Sequence, residues 1–155
     1  MTIALYAGSF DPITLGHLDI IQKSADIFEK VIIGVAYNPE KQGFLPISDK
    51  VELIRESIKD IPNTEVYSYD GLTVDFAKEH GATVLVRGLR NSTDFEYETQ
   101  LAQINSDLDN TIKTVFLTSK PEYNCISSTA IRELLSHGCD ISKYVPKNIN
   151  NYFKR

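Results

Sequence analysis

Five short apolar runs rich in β-branched residues, each separated from the next by a stretch with helical spacing, constrain this chain more than any other feature. They are TIALYA (2–7), KVIIGVAY (30–37), TEVYSY (64–69), ATVLVRG (82–88) and IKTVFLT (112–118). As a set they are nearly continuous rather than alternating, which suits strands covered on both faces. Between them, residues 17–29 place Leu18, Ile21, Ala25 and Phe28 on one stripe, and residues 49–59 do the same with Val51, Ile54 and Ile58 behind Ser48 as N-cap. Residues 73–80, ending at Gly81, and 92–108 also read as helices. SSTAIRELLSHG reads as a capped helix stopped by Gly138, and VPKNINNYFKR as a last helix with Pro146 near its first turn. Residues 118–126 read as a loop.

Strand alternating with helix implies right-handed crossovers and a parallel sheet. The expected fold is α/β: a Rossmann-like, doubly wound, parallel five-stranded sheet with helices on both faces, in one domain spanning 1–155. Ligands of such sheets bind beyond the carboxyl ends of the strands, so the loops after the first, second and fourth strands are the places to look for chemistry.

Charge and composition narrow the function. Sixteen Lys and Arg against 21 Asp and Glu give a net charge of −5, with no basic tail, which argues against a general nucleic-acid binder. No apolar run approaches the roughly 20 residues that span a bilayer, and no targeting segment is visible, so a soluble, cytoplasmic protein without membrane partners is expected. Cys125 and Cys139 stand in no zinc or CxxC spacing and read as reduced, mostly structural thiols.

The loop after the first strand, GSFDPITLGH (8–17), offers two readings, a turn or a phosphate site. Gly8 permits close approach of a ligand, Asp11-Pro12 sets a bend, and the helix start that follows offers free amides to an anion. Thr14 and His17 are spaced to face the same side. His80 and His137 each precede a glycine at a helix end, where they satisfy the last carbonyls, whereas His17 stands at a helix start. Residue chemistry alone leaves His17 open between a ligand and a buried, hydrogen-bonded side chain.

Three further segments supply polar groups. After the fourth strand, RGLRNSTDFEYE places Arg87 and Arg90 around Gly88; they could hold phosphate or pair with Asp94, Glu96 or Glu98. Lys41, after the second strand, reads alone as a solvated loop lysine. In CISSTAIR (125–132), Ser127, Ser128 and Thr129 cluster at a helix start, where capping accounts for one hydroxyl. GxGxxG, Walker A, a Gly-x-Ser-x-Gly elbow, zinc spacing and paired glycosidase carboxylates are all lacking. What remains suits a transfer in which the enzyme positions phosphates and offsets charge.

GSFDPITLGH together with ISSTAIR resembles the T/HxGH and ISSxxxR-type motifs of the nucleotidyltransferase superfamily, Thr14 taking the first position of the former. With RGLRNSTDFEYE added, the chain is similar from end to end to the bacterial phosphopantetheine adenylyltransferases. That resemblance implies a homohexamer that transfers AMP from ATP to 4′-phosphopantetheine with Mg2+, releasing dephospho-coenzyme A and pyrophosphate. It implies that Ser9, Phe10 and His17 meet ATP, with His17 stabilising the transition state and Lys41 and Arg90 sharing the catalytic work. Gly88, Leu89, Arg90, Glu98 and the segment Tyr123, Asn124, Cys125, Ile126, Ser127, Ser128 and Thr129 would complete the nucleotide site. Ser9, Lys41, Thr73 and Arg87 would hold phosphopantetheine, and no protein metal ligand is implied. Ser9 stands where many members carry threonine. Two alternatives stand beside this reading: a nucleotidyltransferase with another acceptor, and a nucleotide or coenzyme-A binder without turnover.

Overall fold

The computed structural model describes residues 1–155. Its strands are β1 (Ile3–Gly8), β2 (Lys30–Ala36), β3 (Thr64–Tyr69), β4 (Val84–Leu89) and β5 (Lys113–Thr118). Its helices are α1 (Leu15–Ile27), α2 (Ile47–Ser57), α3 (Thr73–Glu79), α4 (Ser92–Leu108), α5 (Ser128–Ser136) and α6 (Lys147–Phe153), with a short 3-10 turn at Pro121–Tyr123. The five strands form one sheet in the order β3-β2-β1-β4-β5, every neighbouring pair parallel. The doubly wound sheet expected from the alternating pattern is the fold observed.

Strand alternation divides the apolar residues between two layers. Ala4 and Tyr6 of β1, Val31, Ile33 and Val35 of β2, and Val86 of β4 face one layer, packed with Ile20, Ile21, Ile54, Ile131 and Ile149 from α1, α2, α5 and α6. Leu5, Ala7, Ile32 and Leu85 face the other, packed with Val74, Phe76 and Ala77 of α3. Gly34 is a packing requirement there: a β-carbon on it would meet Leu5, Tyr69 and Phe76 side chains at 3.0 Å.

The element ends follow their local chemistry. α1 starts at Leu15, two residues before the stripe suggests, because Thr14 is its N-cap. Ser48 does not cap α2; the helix begins at Ile47 directly behind Pro46, whose fixed φ presets the entry, and Ser48 lies in the first turn. β4 begins at Val84 rather than 82, because the Ala82 amide closes the end of α3 on Ala77 O at 2.8 Å. Gly81 and Gly138 stop α3 and α5 with φ of +70° and +69°, where only glycine is unstrained. Cys125 and Cys139 are exposed and unpaired, so they are surface thiols and not core residues.

Strand order reverses between β1 and β4. Their carboxyl ends, Gly8 and Leu89, open side by side, and the loops that leave them splay to opposite faces. Of the three loops singled out by sequence, those after β1 and β4 meet at this crevice, while the loop after β2 stands beside it.

Candidate functional site

A cleft of about 290 Å³ occupies the switch point, lined by the β1–α1 turn, the end of β4, the first two turns of α4 and the start of α5. Ser9, Phe10, His17, Arg87, Gly88, Arg90, Glu98, Ile126, Ser127 and Ser128 all line it. Tyr6, Asp94 and Ser119 line it as well, without having been singled out from the sequence as functional. Leu89, Tyr123, Asn124, Cys125 and Thr129 flank the cleft without forming its wall. Thr73 is not brought to it either; it lines a separate 120 Å³ cavity behind Arg87, beside Leu101, Ala102 and Asn105 of α4. Its hydroxyl lies 2.9 Å from Tyr69 OH. Lys41 is exposed in the β2–α2 loop.

The β1–α1 turn is built around Phe10, whose backbone takes φ of +45°. A non-glycine residue pays for that conformation, and the surroundings must hold it. They do: the Phe10 ring is buried, edge-on to Tyr6 at 5.3 Å and to His17 at 5.0 Å. Gly8 makes room, since a β-carbon there would stand 3.3 Å from the ring. Gly88 does the same on β4, where a β-carbon would meet Ile20 Cγ1 at 3.1 Å.

His17 sits at the third position of α1 and completes a reciprocal cap. The His17 amide donates to Thr14 Oγ1 at 3.3 Å, and the Thr14 amide donates to His17 Nδ1 at 3.0 Å. Thr14 is buried and its Oγ1 accepts the cap bond, and both side chains border the cleft, as their spacing suggests. An Nδ1 that accepts from an amide leaves the ring proton on Nε2. No buried side-chain nitrogen or oxygen lacks a partner, so the unbonded Nε2 opens onto the cleft as a donor. Burial, followed by the positive charges of Arg90 and Arg87, lowers the His17 pKa from 6.5 to about 4. The ring is neutral at pH 7.

Both arginines are held by carboxylates. Arg87 Nε and Nη2 donate to Glu98 at 2.6 and 2.8 Å, and Nη1 donates to Ala7 O at 2.9 Å. Burial alone would lower the Arg87 pKa, but the Glu98 hydrogen bonds outweigh it and the net shift is upward. Glu98, 8% exposed, therefore fixes the guanidinium fork in place. Arg90 Nε donates to Asp94 Oδ2 at 3.1 Å, and its Nη1 reaches across the cleft to Ile126 O at 3.0 Å. The acidic partners considered from sequence are thus Glu98 and Asp94, and not Glu96. Tyr6 OH borders the same wall, with burial pushing its pKa well above the ordinary phenol value.

The hydroxyls at the start of α5 serve the scaffold. Ser127 Oγ caps the Ala130 amide at 3.1 Å, Ser128 Oγ donates to Pro12 O at 2.7 Å, and Thr129 Oγ1 accepts from Arg132 at 3.2 Å. Arg132 Nη1 also donates to Asp11 O at 2.7 Å. These bonds pin the α5 N-terminus to the β1–α1 turn. The amides of Ser128 and Thr129, the first two of the helix, donate to no acceptor in the chain, so a positive helix end meets the cleft.

A neutral imidazole donor, two anchored guanidinium groups and a helix N-terminus face one crevice of a Rossmann-like sheet, a set of groups whose chemistry suits phosphate. The family model for cytidylyltransferase-like proteins matches residues 5–134, and the chain belongs to that family. A solved structure from Vibrio parahaemolyticus, given a provisional title as a nicotinate-nucleotide adenylyltransferase, superposes with a TM-score of 0.73 over 100% of both chains at 18% identity, a likeness of fold. The phosphopantetheine adenylyltransferase of Lachnoclostridium phytofermentans is 52% identical over 149 residues, 96% of this chain and 91% of that one. That of Crocosphaera subtropica is 48% identical over 147 residues, covering 95% and 94%. Within the wider family, the chain belongs with the phosphopantetheine adenylyltransferases.

Proposed function

We propose that this enzyme transfers AMP from ATP to the phosphate of 4′-phosphopantetheine, giving dephospho-coenzyme A and pyrophosphate. The observation that carries the reading is the convergence of His17 Nε2, Arg90 and the free α5 amides on one cleft, in a chain about half identical to phosphopantetheine adenylyltransferases over nearly its full length.

The reaction asks little of a base. The acceptor phosphate is anionic at neutral pH, and one of its oxygens attacks the α-phosphorus in line as the bond to pyrophosphate breaks. Charge builds on the non-bridging oxygens of the α-phosphoryl group and on the departing oxygen. Neutral His17 donates Nε2–H to that charge without carrying a proton away, and Arg90 and the Ser128 and Thr129 amides meet the triphosphate beside it. Ser9 and Phe10 border the nucleotide at the β1–α1 turn. Gly88 and Leu89 offer backbone from β4, while Tyr123, Asn124, Cys125 and Ile126 would close over the base from the β5–α5 loop. Arg87 and Thr73 lie toward the second cavity and, with Ser9 and Lys41, belong to the phosphopantetheine end. Glu98 acts in this reading through Arg87.

Mg2+ enters the reading as an ion on ATP. The two cleft carboxylates, Asp94 and Glu98, are each taken by an arginine, and no three His, Cys, Asp or Glu side chains gather as a cation cage. These donors do not fit a resident ion. The homohexamer of the family finds support in α4, where Tyr97, Leu101, Ile104 and Leu108 follow an i, i+4, i+7, i+11 stripe and all but Leu101 are more than half exposed. Light scattering then reads six times the 17.4 kDa chain. No helix is long and apolar enough to cross a membrane, which fits a cytoplasmic enzyme.

Pyrophosphate release tests the reaction. The enzyme is incubated with ATP or CTP and a panel of acceptors that includes 4′-phosphopantetheine, nicotinate mononucleotide and glycerol 3-phosphate. Release with ATP and 4′-phosphopantetheine is expected. Release only with another pair would assign a different acceptor, and ligand-dependent stabilisation with no release anywhere would make the protein a binder.

A further inference from the structure

Asp11, which sequence reasoning treats as half of an Asp-Pro bend, does something more specific. Its carboxylate spends both oxygens on another loop: Phe44 N–H donates to Oδ2 at 2.8 Å and Leu45 N–H donates to Oδ1 at 2.9 Å. Those residues end the β2–α2 loop that carries Lys41. On the N-terminal side, the Tyr37 amide donates to Tyr69 O at 3.1 Å, and beyond it the loop is held within itself, by the Lys41 amide on Asn38 O at 3.0 Å and the Glu40 amide on Asn38 Oδ1 at 2.9 Å. On the C-terminal side, its only hydrogen bonds to the body are the two to Asp11, backed by Leu45 burial and a Phe44–Phe153 stack at 5.8 Å.

Three more observations mark the contact as built. Asp11 is 9% exposed, and a carboxylate is left so dry only where donors compensate it. Lys50, 4% exposed, donates to Ser9 O at 3.2 Å, so a second buried charge ties α2 to the same turn. Gly43 lets the loop approach: a β-carbon there would stand 3.1 Å from Asp11 Oδ2 and 3.4 Å from Leu45 O.

We propose that Asp11 is a positioning residue whose carboxylate clasps the β2–α2 loop to the β1–α1 turn and thereby sets the reach of Lys41 to the substrate phosphate. The proposal rests on the reading of Lys41 as a phosphate partner. It assigns Asp11 to the acceptor side of the reaction, although it lies two residues from Ser9.

The test uses Asp11→Asn, which turns an NH2 toward one of the two amides, and Gly43→Ala, which crowds the clasp from the loop side and leaves the sequence of the β1–α1 turn unchanged. Each is made alone and with Lys41→Ala, and steady-state constants for both substrates are measured. Tryptic cleavage after Lys41 in the native enzyme reports separately on the loop. Both single variants are expected to raise the 4′-phosphopantetheine KM about tenfold or more, as loss of a charge-assisted hydrogen bond would. Gly43→Ala should leave the ATP KM within about twofold, and neither substitution should add to Lys41→Ala, since residues acting as one unit are non-additive. Cleavage after Lys41 should accelerate in both. Unchanged cleavage overturns the clasp, and full multiplication of the KM effects on Lys41→Ala overturns the route through Lys41. A Lys41→Ala enzyme with wild-type constants refutes the reading of Lys41 and the proposed link with it, a result the cleavage assay separates from failure of the clasp.

Discussion

Protonating His17 should destabilise the fold by an amount the site itself sets. The folded pKa of about 4 against 6.5 for a free imidazole corresponds to about 3 kcal/mol favouring the neutral ring. Because the folded value is depressed, the unfolded chain binds the proton first as pH falls. The stability from a neutral His17 is therefore fully present above pH 6.5, declines between 6.5 and 4, and is gone below 4. Part of the penalty has a visible origin, since an imidazolium could not accept the Thr14 amide at Nδ1 and would break the reciprocal cap. Urea unfolding of the wild type and His17→Ala at half-unit steps from pH 8 to 4 isolates this group, as other titrations cancel in the difference. The wild type should lose about 3 kcal/mol more than the variant over that range, and the His17 ring should titrate by NMR near 4. Parallel curves, or a ring that titrates near 6.5, would refute the burial and arginine argument.

Thr14→Ala removes the side-chain half of the α1 cap and should cost about 1 kcal/mol in urea unfolding. Its turnover should fall as well, because the imidazole loses its neighbour. Glu98→Gln leaves the Arg87 guanidinium without its charge partner in a half-buried wall; a loss of roughly 3 kcal/mol and a lower thermal midpoint are expected. Both cysteines are exposed, so a thiol reagent should label two groups per chain without denaturant.

The sheet was legible because its signal is distributed. Near-continuous runs such as KVIIGVAY can be satisfied only by burial on both faces, and five of them between helical stripes leave little choice of architecture. Helix ends marked by one decisive residue were also readable, as Gly81 and Gly138 show. Ser48 misled because a serine before an apolar stripe is a good cap in isolation, while Pro46 had already fixed the entry two residues earlier. The cleft was legible where motif residues are adjacent, in GSFDPITLGH and ISST. The long-range clasp between Asp11 and the amides of Phe44 and Leu45 spans more than thirty residues and leaves no local pattern. Lys50 was equally hidden, since a lysine inside a helical stripe looks solvated until the turn above it is seen. The two arginines show the opposite difficulty: pairing and phosphate binding were weighed as rivals, yet Arg87 and Arg90 are paired and line the cleft at once.

Turnover of His17→Ala at saturating ATP and 4′-phosphopantetheine tests the site most directly. Loss of one donor to transition-state charge is worth on the order of 3 kcal/mol, a hundredfold or more in rate. The account predicts a fall of at least that size in pyrophosphate release, with ATP affinity largely kept. Near-wild-type turnover from a folded His17→Ala enzyme would contradict it.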